Sequence, residues 1–237
     1  MKRLSRQSFL IALAISGLTL ALLVPPSFGQ QSSGKASSTV QLRPSVLANL
    51  LVRKVEPQYP QKALSAKLSG PVAVMVVVGP DGSVTDAQMA CGNDRFAKAA
   101  TTAVKQWHFK DPVLHGQPTN VRGMVIVDFN LPGNSTLGED FKVDSETALA
   151  HLETYVAPEY PLEARIAHVQ GCVILSAQID EAGTVKELSP IEAPPWLLSS
   201  TEKTVRQWRY KPFLRSGVAT PAKINVVVVF SLLPNSL

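Results

Sequence analysis

The chain repeats itself, and the repeat constrains its fold more than any other feature. Tyr59-Pro60 returns as Tyr160-Pro161, 101 positions on (160 − 59). The same offset joins Gly70 to Gly171, Gly82 to Gly183, Gln106-Trp107 to Gln207-Trp208, Lys110 to Lys211, Gly116 to Gly217 and Phe129 to Phe230. Residues 55–131 and 156–232 therefore align without a gap. Glycine and proline mark positions where the backbone tolerates few alternatives, so a shared register across them is not a coincidence of composition. A solenoid needs at least about three repeats, so two copies of this size make two small domains.

Each copy reads as the same order of elements. Val46, Leu47, Leu50 and Leu51 recur at helical spacing before the first Tyr-Pro, and Leu149, Leu152 and Tyr155 take that part in the second copy. Residues 61–69 and 162–170 form a short helix between a proline and a stop glycine. Val173, Leu175, Ala177 and Ile179 alternate with Ser176, Gln178 and Asp180, the pattern of a half-buried strand. Asp81-Gly82 supplies a hairpin turn, because glycine accepts the positive φ such turns require. A long helix follows from Asp94 to Trp107, with Phe96, Ala99, Ala100, Ala103, Val104 and Trp107 on one stripe and Asn93 or Asp94 as its cap. The last strand carries Val125, Val127, Phe129 and Leu131, matched by Val226, Val228, Phe230 and Leu232. The expected fold is α+β: two tandem domains, each a helix packed on a three-stranded antiparallel sheet.

The strand Val72–Val78 is apolar on both faces, unlike its counterpart, so Ala73, Met75 and Val77 need cover from the second copy, from the segment before Tyr59, or from a partner or second chain. Cys91 and Cys172 are the only cysteines. They are either two small buried apolar residues or a bridge tying the two copies together.

The N-terminus has the form of an export signal. Lys2, Arg3 and Arg6 precede an apolar run from Phe9 to Val24, Pro25-Pro26 breaks it, and Ser27 and Gly29 suit cleavage before Gln30. The run is shorter than the ~20 residues of a membrane span. The expected location is periplasmic after cleavage, the alternative an inner-membrane anchor through residues 9–24. Loss of those three basic residues takes the formal charge from +5 to +2 without leaving a basic cluster, which argues against a nucleic-acid partner. Residues 1–29 are then the signal, 30–44 a flexible tether rich in Ser, Gln, Gly and Lys, 45–132 the first domain, 133–142 a linker and 143–234 the second domain.

In order and spacing, Pro57-Gln58-Tyr59-Pro60 with Ala63, Gly70 with Val72, Asp81-Gly82 with Val84, Trp107 with Phe109, and an alternating strand ending at Phe129 resemble the TonB C-terminal domain. The second copy repeats them with Pro158, Tyr160-Pro161, Ala164, Gly171, Val173, Gly183, Val185 and Trp208. The resemblance implies a periplasmic module that grips an extended segment of an outer-membrane transporter by adding it beside its own last strand. The receiving edges would be Met124–Leu131 and Ile224–Leu232, with Met124, Val125, Ile126, Val127, Asp128 and Phe129 in one copy and Asn225, Val226, Val227, Val228, Val229 and Phe230 in the other. Glu56 and Ala157 stand where the family often has glutamine. Lys62 keeps a basic residue that Glu163 reverses. On those grounds Glu56 and Lys62 join the candidate site, and the first copy is the favoured receiver.

The stretch from Gln30 to Lys54 reaches at most about 80–90 Å when extended, short for coupling to an inner-membrane energy source. A structural adaptor that uses its sheets for self-association is therefore the alternative function, and a secreted enzyme or inhibitor the third. His108, His115, His151 and His168 have no ligand spacing, glycine is not clustered for phosphate, and no catalytic constellation recurs between copies. No cofactor, metal or small-molecule substrate is expected. Trp107 and Trp208 read as core anchors.

Overall fold

A computed structural model of the chain describes residues 39–131 and 141–232. The signal at 1–29, most of the tether and most of the linker lie outside the described residues.

The internal repeat is carried into every element. The first copy runs β1 (Val40–Gln41), α1 (Pro44–Leu50), β2 (Leu51–Arg53), α2 (Gln61–Ser65), β3 (Gly70–Val78), β4 (Val84–Cys91), α3 (Asp94–Val104), β5 (His108–Phe109), β6 (Val113–Leu114), β7 (Gln117–Pro118) and β8 (Val121–Phe129). The second runs β9 (Phe141–Lys142), α4 (Ser145–Ala150), β10 (Leu152–Thr154), α5 (Leu162–Ile166), β11 (Gly171–Ile179), β12 (Val185–Glu192), α6 (Pro195–Val205), β13 (Arg209–Tyr210), β14 (Leu214–Arg215), β15 (Val218–Ala219) and β16 (Ala222–Phe230).

The three long strands of each copy form the expected antiparallel sheet, and a fourth extends it. The orders are β1-β8-β3-β4 and β12-β11-β16-β9. The fourth strand is short and parallel: Val40 and Gln41 pair with Val121 and Arg122, and Phe141 and Lys142 with Ala222 and Lys223. These residues fall in stretches whose composition reads as tether and linker. A strand of two residues leaves no periodicity to detect.

The helices are shorter than their apolar patterns suggest. α2 and α5 end at Ser65 and Ile166, and the chain then turns through Lys67 and His168 at positive φ. α3 stops at Val104, and the turn after it presents Trp107 to the core. Its N-cap is Asn93, whose side chain accepts from the Arg95 N–H at 3.1 Å. The two repeated tryptophans, Trp107 and Trp208, are almost wholly buried, and each donates its indole N–H to a backbone carbonyl in the segment before Tyr-Pro, Trp107 to Val55 at 2.9 Å and Trp208 to Val156 at 2.8 Å. The tyrosines close the same segment: Tyr59 donates to the Leu68 carbonyl and meets Phe96 and Phe129 edge-on. Gly82 and Gly183 sit in the β3–β4 and β11–β12 turns at φ +77° and +79°. A Cβ there would lie 2.0 Å from the Phe109 carbonyl oxygen or 1.8 Å from that of Tyr210, so these turns admit glycine alone.

One face of each sheet packs on its own helices, with Val72, Val74, Val76, Val125, Val127 and Phe129 in the first core and Val173, Leu175, Val226, Val228 and Phe230 in the second. The other faces pack on each other. Ala73, Met124 and Ile126 meet Cys172, Ile174 and Val227 in a third apolar cluster, with Met75 at its margin. Of the second-face residues of β3, Ala73 is covered by the second copy and Met75 partly so, while Val77 lies outside this cluster and is half-buried. Cys91 and Cys172 are joined in a disulfide across this layer, with Cα atoms 6.1 Å apart. Of the two readings of the cysteines, the bridge is the one formed.

Candidate strand-accepting flanks

Successive peptide groups in a strand point to opposite sides in the sheet plane, so every second residue of a flanking strand offers its N–H and C=O outward. Along β8 and the residue before it, the carbonyls of Arg122 and Asn120 accept from the N–H groups of Leu42, just past β1, and Val40. By that alternation Met124, Ile126 and Asp128 face outward as well. In β16 the Lys223 carbonyl accepts from Val143, so Asn225, Val227 and Val229 are their equivalents. Val125, Val127 and Phe129, with Val226, Val228 and Phe230, turn their peptides toward the neighbouring strand and their side chains into their own core. The twelve predicted edge residues thus divide into those that hold the sheet and those that could meet a partner.

The two flanks differ. On β8, helix α4 of the second copy lies across the outward groups. The buried Glu146 accepts the Ile126 N–H on Oε1 at 2.5 Å. Beside it, Asp128 accepts from the Ser145 N–H at 2.7 Å, from Ser145 Oγ at 3.0 Å and from Asn225 Nδ2 at 3.0 Å. Lys54 completes the seam, 3.2 Å from Glu56 and 3.6 Å from Asp144. Burial penalises its ammonium, but Asp144 and Glu56 outweigh that and hold its pKa above the ordinary value. Glu146 has gone the other way. Burial raises its pKa to about 8, the Ile126 N–H and Lys54 oppose the rise, and Asp144 and Asp128 add to it. Its Oε2 has no hydrogen-bond partner among the described residues.

On β16 the corresponding positions carry other side chains. Under the offset of 101, counting back, Glu146 becomes Ser45, Ser145 becomes Pro44 and Asn225 becomes Met124; counting forward, Asp128 becomes Val229 and Lys54 becomes Tyr155. Beyond Lys223 no strand pairs with the outer side of β16 among the described residues. A groove of about 370 Å³ runs along it instead, bordered by Ser45, Met75, Met124, Tyr155, Trp208 and the main chain from Val227 to Ser231. Arg43 stands at its margin with its guanidinium 5.9 Å from the centre of the Tyr155 ring.

Glu56 is an exposed member of the Lys54 seam, so it belongs to the closed flank. Lys62 sits apart, in a shallow depression with Gln61, Ser65, Ala66 and Arg95 that includes no residue of β8. The structure does not bring it to either flank. Glu146, Asp128 as an interdomain acceptor, and the groove residues Ser45 and Tyr155 escape a motif search because they are not repeated. Their signal is the reverse: polar in one copy where the other is apolar or small. Among the described residues no group of three or more His, Cys, Asp or Glu is placed to hold a metal ion, and no helix is long and apolar enough to cross a membrane.

Comparison with curated proteins gives no match. Among solved structures, the solution NMR structure of the Pseudomonas aeruginosa TonB CTD matches at 18% identity and a TM-score of 0.31, over 35% of this chain and 85% of that one. Comparison with known families matches residues 55–131 and again 156–232 to the Gram-negative bacterial TonB protein C-terminal domain. Those two segments make up more than half of the sequence and coincide with its internal repeat, and the chain belongs to the TonB C-terminal family, with two tandem copies of the domain.

Proposed function

We propose that the chain is a periplasmic protein-interaction module that binds an extended segment of an envelope protein, such as an outer-membrane transporter, by adding it as a strand to one of its sheets. The observation that carries this reading is the flank of β16, where the outward peptide groups of Asn225, Val227 and Val229 follow the two-residue strand β9, have no paired strand among the described residues and border an apolar groove. Strand addition draws its affinity from such groups and its selectivity from the pockets beside them. The interdomain disulfide fits an exported, oxidising location. Family membership supports protein binding over catalysis.

The test uses peptides arrayed from periplasm-facing segments of the source bacterium's outer-membrane proteins, probed with the full chain. Val229→Pro removes a donor that faces outward and spares the bonds to β11. Capture should be lost in Val229→Pro and retained in Val229→Thr. Equal capture by both variants would exclude strand addition at this flank. Adding the energy-coupling complex lies beyond what the short tether suggests, so a module acting without energy input is the form of the function favoured here.

A further inference from the structure

The groove beside β16 has an occupied counterpart inside the same molecule. At the equivalent place on β8, the Glu146 side chain lies against the sheet flank, presents an oxygen to the outward N–H of Ile126, and covers the back-face residues Met124 and Ile126 with its helix. These are the contacts that an added strand makes: a carbonyl oxygen for the outward N–H, and aliphatic atoms over the alternate side chains. The first copy therefore displays the filled state, and the second displays the same flank with a small residue, Ser45, at the filling position.

We propose that the chain has a single receiving edge, at Val227 and Val229 of β16, and that the first copy's edge is held shut by Glu146 of the second. This rests on the strand-addition reading above and adds to it the stoichiometry and the chemistry of the guest. The occupant is an extended segment of another protein that offers a main-chain carbonyl to Val227 N–H and an apolar side chain to the floor of Met75, Met124 and Tyr155. The groove supports an apolar guest because the described residues lining it include no carboxylate and no ammonium, and the Arg43 guanidinium at its margin stands over the Tyr155 ring. An acidic side chain set on the floor of Met75, Met124 and the Tyr155 ring would lose solvation that no ammonium in the lining restores. The first copy then serves as the rigid wall of the groove, since Met75 and Met124 belong to it.

Native-state amide exchange tests the closure without a ligand. In the wild-type chain the Ile126 amide should exchange at least about tenfold more slowly than that of Val227, reflecting one buried hydrogen bond. Glu146→Ala should speed Ile126 exchange and leave Val227 unchanged. Glu146→Gln keeps an acceptor oxygen and should preserve protection, and Ser45→Glu should slow Val227. Equal protection of Ile126 and Val227 in the wild type would overturn the asymmetry. A capped, fluorescent peptide of six alternating valines and threonines then serves as probe. It should titrate to one site on the wild type, two on Glu146→Ala and none on Ser45→Glu. Two sites on the wild type would overturn the proposal. No binding anywhere, with the exchange asymmetry intact, would defeat the strand-addition reading while the closure stands.

Discussion

Replacing Glu146 by glutamine should make the protein's stability less dependent on pH, and the size of the change follows from where the carboxyl sits. The folded-state pKa is about 8 against an ordinary value of 4.5. Burial is the leading cause, opposed by the Ile126 N–H and Lys54 and assisted by Asp144 and Asp128. A group whose pKa is raised on folding holds its proton in the native state while the unfolded chain releases it. Stability is then greatest below the unfolded value and declines as pH rises toward the folded one. Each unit in that window is worth about 1.4 kcal/mol, so the wild type should lose about 3 kcal/mol between pH 5 and pH 7 from this one residue. Glutamine cannot ionise, yet its carbonyl can accept the same Ile126 N–H. Its Nε2 would lie where Oε2 now lacks a partner, a cost that does not vary with pH and cancels in the comparison. Urea denaturation of both proteins at pH 5, 6, 7 and 8, with the disulfide intact, measures the difference directly. The glutamine variant should gain on the wild type by about 3 kcal/mol from pH 5 to 7, and the gap should level off above pH 8. Parallel curves over that range would show that Glu146 is ionised and solvated in the native protein, and the closed flank would have to be abandoned with it.

The Cys91–Cys172 bridge spans 81 residues, so Cys91→Ser with Cys172→Ser should lower stability to denaturant by up to about 4–5 kcal/mol on the loop-entropy account. Gly183→Ala drives a Cβ into the Tyr210 carbonyl and should cost at least about 2 kcal/mol in thermal unfolding, whereas Gly116→Ala, with nothing within 4 Å, should cost only about 1 kcal/mol for its positive φ. Trp208→Phe leaves the Val156 carbonyl without its indole donor and should cost about 1–3 kcal/mol, the same as Trp107→Phe at Val55, measured by denaturant titration.

What could be read from the sequence, and what could not, divides along the repeat. The long strands, the glycine turns and the tryptophan anchors are each made by residues that act locally or on their own core, and they are written twice. Repetition exposes them: Gly82 and Gly183 are needed for the same carbonyl clash, and Trp107 and Trp208 for the same hydrogen bond. The back-to-back packing was legible only as a question, because the apolar second face of β3 announces a cover without saying which surface supplies it. β1 and β9 were not legible, being two residues each and held by main-chain bonds rather than by side-chain pattern. The unequal flanks are the furthest from a motif. Lys62 was drawn in by family pattern and lies elsewhere, while Glu146, an ordinary residue in the first turn of a short helix, gains its role from a strand 20 residues earlier in the chain.

The unequal flanks can also be weighed against a general constraint on sheets. A strand edge with unpaired peptide groups invites uncontrolled pairing, and proteins blunt such edges with charge, proline, short strands or cover. Here three of the four edges are treated in that way. β4 exposes Thr85, Asp86 and Gln88 and ends at the disulfide; β12 exposes Lys186, Glu187, Pro190 and Glu192; β8 is shut by β1 and then by Glu146. The fourth, β16, begins under the two residues of β9 and then runs beside an apolar groove with no further paired strand among the described residues. Nothing in the fold prevented the same treatment there, since a carboxylate at Ser45 would mirror Glu146 across the pseudo-symmetry of the two copies. On the strand-addition reading proposed above, the unequal treatment of the twin edges follows from use: the closed edge avoids the hazard, and the other keeps its peptide groups for an extended guest.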